Sequence, residues 1–322
     1  MPSALEIALG VELPPSLVDQ IRQVAPEARV WTAAELERDP AGYRNAEVAL
    51  VAGWADRAWL KEASALRWIQ SVGAGVDRLL SPELVARTEL VITNASGIHA
   101  QPIAEHVFSL LLLFTRNLHL AVANQHEARW NSQPYRETLR TLRGKTLGIL
   151  GLGAIGERVA EIAVPFGLRV IGLKRTPKRV PGVSEVYGPE QLLPFLAQSD
   201  FLVNILPATP TTRGWIGASA LEALPRGAFF VNVGRGATVD SEALVAALRS
   251  GHLAGAGLDV TEPEPLPADH PLWTLPNVII TPHYSGAQPD YFLHLGELFV
   301  ENLRRYVRGE PLRNIVDKHA GY

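Results

Sequence analysis

Thr146-Leu-Gly-Ile-Leu-Gly-Leu-Gly-Ala-Ile-Gly156 divides into an apolar run, a glycine-rich turn and the start of a helical pattern. Leu147 to Leu150 reads as a buried strand. Gly151-Leu-Gly153-Ala-Ile-Gly156 follows, and Glu157 to Ala163 then alternates as a helix does. A glycine turn between a strand and a helix is a dinucleotide-binding signature. Gly151 permits the tight turn, Gly153 lets a pyrophosphate approach the backbone, and Gly156 lets helix and strand pack closely. The N–H groups that open the helix, from Ala154 and Ile155 onward, face the phosphates.

On both sides of this stretch short apolar runs alternate with amphipathic ones. Before it, Leu5 to Val11, Val48 to Val51, Leu66 to Val72 and Leu90 to Thr93 read as strands, and Pro15 to Val24 as a helix opened by proline. After it come strands at Arg169 to Leu173, Phe201 to Leu206, Ala228 to Val233, Gly255 to Val260 and Val278 to Thr281. Helices are expected at Pro189 to Gln198, Ala218 to Ala223, Ser241 to Arg249 and Gln288 to Arg308, with Gly251 ending the third. With the fingerprint strand, the second block has about six strands in a doubly wound sheet. The chain is therefore α/β, with two parallel-sheet domains. A flavodoxin-like domain takes residues 1–97 and 287–322, and a Rossmann-like one residues 98–286. The 322 residues suit about two domains. The segment Gln101 to Asn117 is apolar nearly all round after its first turn and predicts a helix buried on several sides. Glu105 and His106, at its polar start, read as capping or interface residues. The tail from Pro311 reads as irregular.

Thirty basic and thirty-three acidic residues give a formal charge of −3, which offers no argument for nucleic acid or a membrane surface. There are no cysteines, which excludes disulfides and thiolate chemistry. The other histidines, His99, His119, His126, His252, His270, His294 and His319, lack metal-ligand spacing, and no metal is expected. The first residues lack a basic region followed by an apolar segment, and the expectation is a cytoplasmic protein.

Ligands in such sheets bind beyond the carboxyl ends of the strands. Four functional side chains fall there. Arg235 lies in Asn232-Val-Gly-Arg-Gly236, Asp259 ends a strand, Glu264 lies in Glu262-Pro-Glu-Pro265, and His283 follows Val278 to Thr281. Arginine suits a carboxylate because its planar fork binds two oxygens at once. Histidine suits proton transfer near neutral pH, and a neighbouring carboxylate fixes the ring's tautomer.

Taken together, Gly151 to Gly156, Asn232 to Gly236, Gly257-Leu-Asp-Val260 with Glu264-Pro265, and Thr281-Pro-His283 resemble the D-isomer-specific 2-hydroxyacid dehydrogenases. The resemblance runs over nearly the whole chain and is greatest to the branch holding glyoxylate and hydroxypyruvate reductases. It implies an active-site cleft between the two domains and reduction of a small 2-oxo acid to the D-2-hydroxy acid. It implies Arg235 as the substrate-binding cation, His283 as the acid/base and Glu264 as its partner. Asp259 would hold the nicotinamide carboxamide, and Val233 would line the cofactor site. Ser71-Val-Gly-Ala-Gly-Val-Asp77 resembles the family's substrate loop, in which N–H groups near Ala74 and Gly75 receive the carboxylate. The family also implies a homodimer built through the coenzyme domains.

Cofactor choice is read at the end of the second strand, where an acidic residue accepts the ribose hydroxyls of NAD. Here Lys174, Arg175 and Thr176 stand instead, and a 2′-phosphate can pair with the two cations. NADP(H) is the expected cofactor, with NAD(H) possible. Trp54 reads either as a wall of the substrate pocket or as a contact between the domains, and Tyr284 as a second limit on the pocket's size. Two other readings stay open at this level: a dinucleotide-sensing interaction protein, and a dehydrogenase for another small anion.

Overall fold

The computed structural model describes residues 5–52, 59, 62–131 and 135–322. The chain forms two compact units, one of Met1–His99 with Gln288–Tyr322 and one of Ala100–Ala287.

The first unit is a parallel sheet of β1 (Glu6–Leu9), β2 (Arg29–Trp31), β3 (Val48–Val51), β4 (Trp68–Ser71) and β5 (Val91–Thr93), in the order β2-β1-β3-β4-β5. Every residue of β3 and β4 is buried, because both faces of the sheet are covered. That is why β3 reads as the unbroken run Val48-Ala-Leu-Val51. Over one face, Leu17 and Ile21 of the helix Pro15–Val24 pack with Leu295, Phe299 and Leu303 of the helix Tyr291–Val307. Over the other lie Leu36, Leu66, Val76, Leu79 and Leu84. The edge strand β2 was not legible in the sequence. It is three residues long, and the exposed Arg29 lays its guanidinium 3.9 Å over the Trp31 ring.

A buried polar cluster joins the last helix to this sheet. The Asn302 amide donates to Gln70 Oε1 (3.3 Å) and to the Arg313 carbonyl (3.2 Å), and accepts from the Arg313 N–H (2.8 Å). Gln70 Oε1 also accepts from the Thr93 hydroxyl at 2.7 Å. The cluster fixes the segment after the helix, which is otherwise irregular apart from one antiparallel bridge between Thr93 and Ile315. Asn302→Ala should destabilise the protein by about 2 kcal/mol, since it strands buried donors and acceptors. A fall of several degrees in the thermal midpoint checks this; an unchanged midpoint would refute it.

The second unit carries β6 (Thr146–Leu150), β7 (Arg169–Leu173), β8 (Glu185–Tyr187), β9 (Phe201–Asn204), β10 (Ala228–Asn232), β11 (Leu253–Leu258) and β12 (Val278–Ile280). They form one parallel sheet in the order β12-β11-β10-β9-β6-β7-β8. Seven strands replace the expected six or so. The extra one is β8, Glu185-Val-Tyr187, whose exposed first residue breaks the apolar run. Strand order reverses at β6, with β7 on one side and β9 on the other, so the glycine turn after β6 sits at the switch point. The helix Ala100–Thr115 packs through Val107, Leu111 and Phe114 against the core that also holds Val159, Ala160 and Ala163 of the helix Ala154–Ala163. The helix expected from Pro189 is a 3-10 turn, Pro189–Gln191, followed by Leu192–Leu196. Pro194 bars a longer regular ladder at the start of that segment. Among the described residues no single helix is long and apolar enough to cross a membrane.

Candidate active site

The glycine turn is built on close contacts. Gly151 leaves β6 at φ +102°, a conformation that glycine adopts without strain. Its N–H donates to the Leu173 carbonyl at 3.0 Å, which ties the turn to the end of β7. At Gly156 a Cβ would stand 2.2 Å from the Gly151 carbonyl oxygen, so helix and turn approach as only glycine allows. At Gly153 a Cβ would meet nothing within 4 Å. That face of the turn is open, and the N–H groups of the first helical turn, at Ala154 and Ile155, which have no partner within the helix, follow it. An open cradle with helix-start donors fits a pyrophosphate.

The basic pair after β7 divides in two. Lys174 is half-buried, and its Nζ donates to the Leu152 carbonyl within the glycine turn at 2.7 Å and lies 3.8 Å from Glu157 Oε1. Burial, reinforced by nearby Lys178, lowers its pKa against the pull of Glu157. Arg175 and Thr176 are exposed.

The second cluster lies on the carboxyl ends of three adjacent strands. After β10, Arg235 is extended and half-buried, and its carbonyl accepts from the Thr238 hydroxyl (2.7 Å) and the Asn232 amide (3.3 Å). The guanidinium Nη1 donates to the Gly234 carbonyl at 2.8 Å. Val233 beside it is buried. After β11, Asp259 is 2% exposed. Its Oδ1 accepts from the Thr281 hydroxyl (2.6 Å) and the Tyr284 N–H (3.1 Å), and its Oδ2 from the Ser285 N–H (3.0 Å). After β12, His283 sits at φ +53°, which costs a residue with a Cβ about 1 kcal/mol or more. Its N–H donates to the Asp259 carbonyl at 2.9 Å.

His283 Nδ1 lies 2.9 Å from Glu264 Oε2. A carboxylate accepts, so Nδ1 carries the proton and Nε2 is the nitrogen offered to a ligand. The imidazole is 45% exposed and the carboxylate only 25%, which leaves the ring as the reachable member of the pair. Glu264 Oε1 also accepts from the Thr261 N–H at 3.3 Å, so the carboxylate is anchored on both oxygens.

Ala74 and Gly75 belong to the first unit, in the bend that follows β4. The Ala74 carbonyl accepts from the Asn94 amide at 2.9 Å, and the Gly73 carbonyl from the Ala95 N–H at 3.1 Å. Trp54 lies outside the described residues. Thr281, in the motif Thr281-Pro-His283, has no role in the sequence reading. That reading also gives His106 no part in the site, yet His106 Nε2 lies 3.1 Å from Thr281 Oγ1.

Residues 108–285 match the family model described as the D-isomer specific 2-hydroxyacid dehydrogenase, NAD binding domain. The chain belongs to the D-isomer specific 2-hydroxyacid dehydrogenases. It is 38% identical over 271 residues to a glyoxylate reductase of Aeropyrum pernix, covering 81% of this chain and 79% of that one. It is 33% identical over 313 residues to glyoxylate/hydroxypyruvate reductase A of Escherichia fergusonii, covering 95% of each. A D-isomer specific 2-hydroxyacid dehydrogenase of Xanthobacter autotrophicus Py2, solved with NADPH and MES, superposes with a TM-score of 0.82 at 35% identity. That match covers 99% of this chain and all of the other. An NADPH-dependent glyoxylate/hydroxypyruvate reductase of Sinorhizobium meliloti, solved with NADP and sulfate, gives 0.82 at 30% identity, over 98% of this chain and 99% of that one. The dehydrogenase family accounts for both parallel sheets of this chain.

Proposed function

We propose that this dehydrogenase reduces a small 2-oxo acid to the D-2-hydroxy acid with NADPH. The observation that carries the reading is the Glu264–His283 pair at 2.9 Å, on the rim that also bears Arg235. The glycine turn with Ala154 and Ile155 would hold the pyrophosphate, and Val233 would line the nicotinamide end. When bound, the reduced nicotinamide supplies the hydride.

The chain's own residues do the rest. Arg235 pairs with the substrate carboxylate through two N–H groups, which fixes the carbonyl beside it. His283 holds a proton at Nε2 and passes it to the carbonyl oxygen as negative charge develops there. Glu264 holds Nδ1–H throughout, so the ring keeps one orientation. Asp259 holds the turn that bears His283 and has acceptor capacity left on Oδ2 for a carboxamide N–H. Ala74 and Gly75 offer backbone N–H groups to the carboxylate. Glyoxylate and hydroxypyruvate are the first acids to test, because they are the ones for which the relatives are named.

In this reading Arg175 carries the preference for NADPH and Lys174 fastens the turn. Arg175→Ala should raise the Kd for NADPH about tenfold or more and change that for NADH little. Lys174→Met should weaken both alike, because it frees the Leu152 carbonyl and the turn it belongs to. Fluorescence titration of each variant with both cofactors checks this. Equal effects of Arg175→Ala on the two cofactors would refute the assignment.

The helix Leu118–His126 has no buried residue, and it exposes 49% of Leu118 and 53% of Val122. A second copy covering this helix would make the homodimer that we propose, and sedimentation at equilibrium tests it. A cytoplasmic location goes with the reading, because reduced dinucleotides are held inside cells. The rate of NADPH and NADH oxidation over a panel of 2-oxo acids tests the activity itself. Turnover with one favoured acid supports the reading. Tight binding of cofactor with no turnover on any acid overturns it and favours a dinucleotide-sensing protein.

A further inference from the structure

Asp259 binds residues 281 to 285 at four points. Its carboxylate accepts from the Thr281 hydroxyl and from the N–H groups of Tyr284 and Ser285, and its carbonyl accepts from the N–H of His283. These bonds over-determine the turn that keeps His283 in the left-handed region. The bond from Thr281 is the shortest of them, at 2.6 Å.

A hydroxyl carries one proton, and a carboxylate only accepts. The Thr281 proton therefore lies toward Asp259. The 3.1 Å contact from Thr281 Oγ1 to His106 Nε2 must then have the ring as its donor. His106 is consequently the Nε2–H tautomer. Burial lowers its pKa, and the pull of Asp259 in the other direction is the smaller effect, so the ring is a neutral donor at neutral pH. The His106 ring also meets the Tyr284 ring edge to face, with centroids 5.7 Å apart. The base of the imidazole is held by a helix whose neighbours Ile103, Val107 and Leu110 are buried in the core. Helix, hydroxyl, carboxylate and turn thus form one connected chain of hydrogen bonds.

We propose that His106 is a positioning residue of the reduction. It fixes the Thr281 hydroxyl on Asp259 and thereby the turn that aims His283, while it touches neither substrate nor cofactor. The proposal rests on the reading of His283 as proton donor. Without the donor, Thr281 keeps its bond to Asp259 but loses the partner that fixes its oxygen, and the turn loses one of its supports.

The test uses four variants of the full chain with reduced dinucleotide and the favoured 2-oxo acid. His106→Leu should lower kcat about tenfold. KM for the acid and Kd for NADPH should stay within about twofold. His106→Gln places an amide N–H where Nε2 stood and should restore most of the loss. Thr281→Val should lower kcat further, and adding His106→Leu to it should change little more, since the two act through one bond. Equal losses in the Leu and Gln variants, or losses that multiply in the double variant, would overturn the proposal.

A second readout needs no turnover. Nitrogen-15 spectra of the histidine rings in the cofactor-free protein should show His106 as the Nε2–H tautomer, titrating below the ordinary histidine range. The His283 ring signals should move in His106→Leu and stay in place in His106→Gln. An Nδ1–H tautomer, or His283 signals indifferent to both variants, overturns the proposal. If the wild-type chain reduces no 2-oxo acid, the functional reading fails by itself, and the ring spectra still decide the part played by His106.

Discussion

His283→Ala is expected to lower kcat for 2-oxo acid reduction by about three orders of magnitude, with the Kd for NADPH unchanged. The carbonyl oxygen gains negative charge as hydride arrives, and bulk water is a poor proton donor at neutral pH. The imidazole supplies that proton from a fixed position. Its ring is held by one bond from Nδ1 to Glu264 and its backbone by one bond to Asp259, at 2.9 Å each. Removing the ring removes the donor but leaves the glycine turn after β6 intact, so binding and turnover should separate. Glu264→Gln should give a milder loss, about ten- to a hundredfold, because the amide oxygen still accepts from Nδ1–H but no longer carries a charge. Stopped-flow traces of NADPH oxidation measure both. A His283→Ala variant within tenfold of wild type would exclude His283 as the donor.

Much of the fold could be read because buried parallel strands are continuous apolar runs. β3, β7 and the helices Pro15–Val24 and Ser241–Arg249 fall where their patterns begin and end. The strands that escaped, β2 and β8, each open on an exposed charged residue, Arg29 and Glu185, which leaves an apolar run of two; the equally short edge strands β5 and β12 begin Val-Ile and could be read. The candidate site was legible for a different reason. Side chains that follow adjacent parallel strands share one rim, so Arg235, Asp259 and His283 could be grouped from their place in the chain. Glu264, in the loop after β11, was grouped with them on the same ground, and its carboxylate lies 2.9 Å from the imidazole. His106 was illegible as a member of this cluster. It precedes Thr281 by 175 positions, and no local pattern joins a helix start to a strand end so far along the chain. Lys174 shows the opposite limit. Its place after β7 suggested a phosphate ligand, but its ammonium reaches the Leu152 carbonyl, because the fold brings the glycine turn over the end of the next strand.

Arg235→Gln should lower kcat/KM for a 2-oxo acid by about a hundredfold or more, the cost of losing a paired, charge-assisted bond to the carboxylate. The position is prepared for that task. Asn204, Asn232 and Thr238 are buried and bonded to one another, with Asn204 donating to Asn232 Oδ1 at 2.9 Å and to the Thr238 hydroxyl at 2.8 Å. Asn232 and Thr238 then hold the Arg235 carbonyl. The bond from Nη1 to the Gly234 carbonyl orients the guanidinium. Arg235→Lys keeps the charge but not the fork, so it should recover only part of the loss. A substrate analogue with a carboxamide in place of the carboxylate separates binding of the acid from damage to the fold. Wild type should handle the amide poorly, and Arg235→Gln should handle it about as poorly as wild type does. If the substitution instead costs the same factor with acid and amide, Arg235 does not bind the carboxylate, and its place on the rim serves the structure of the loop alone.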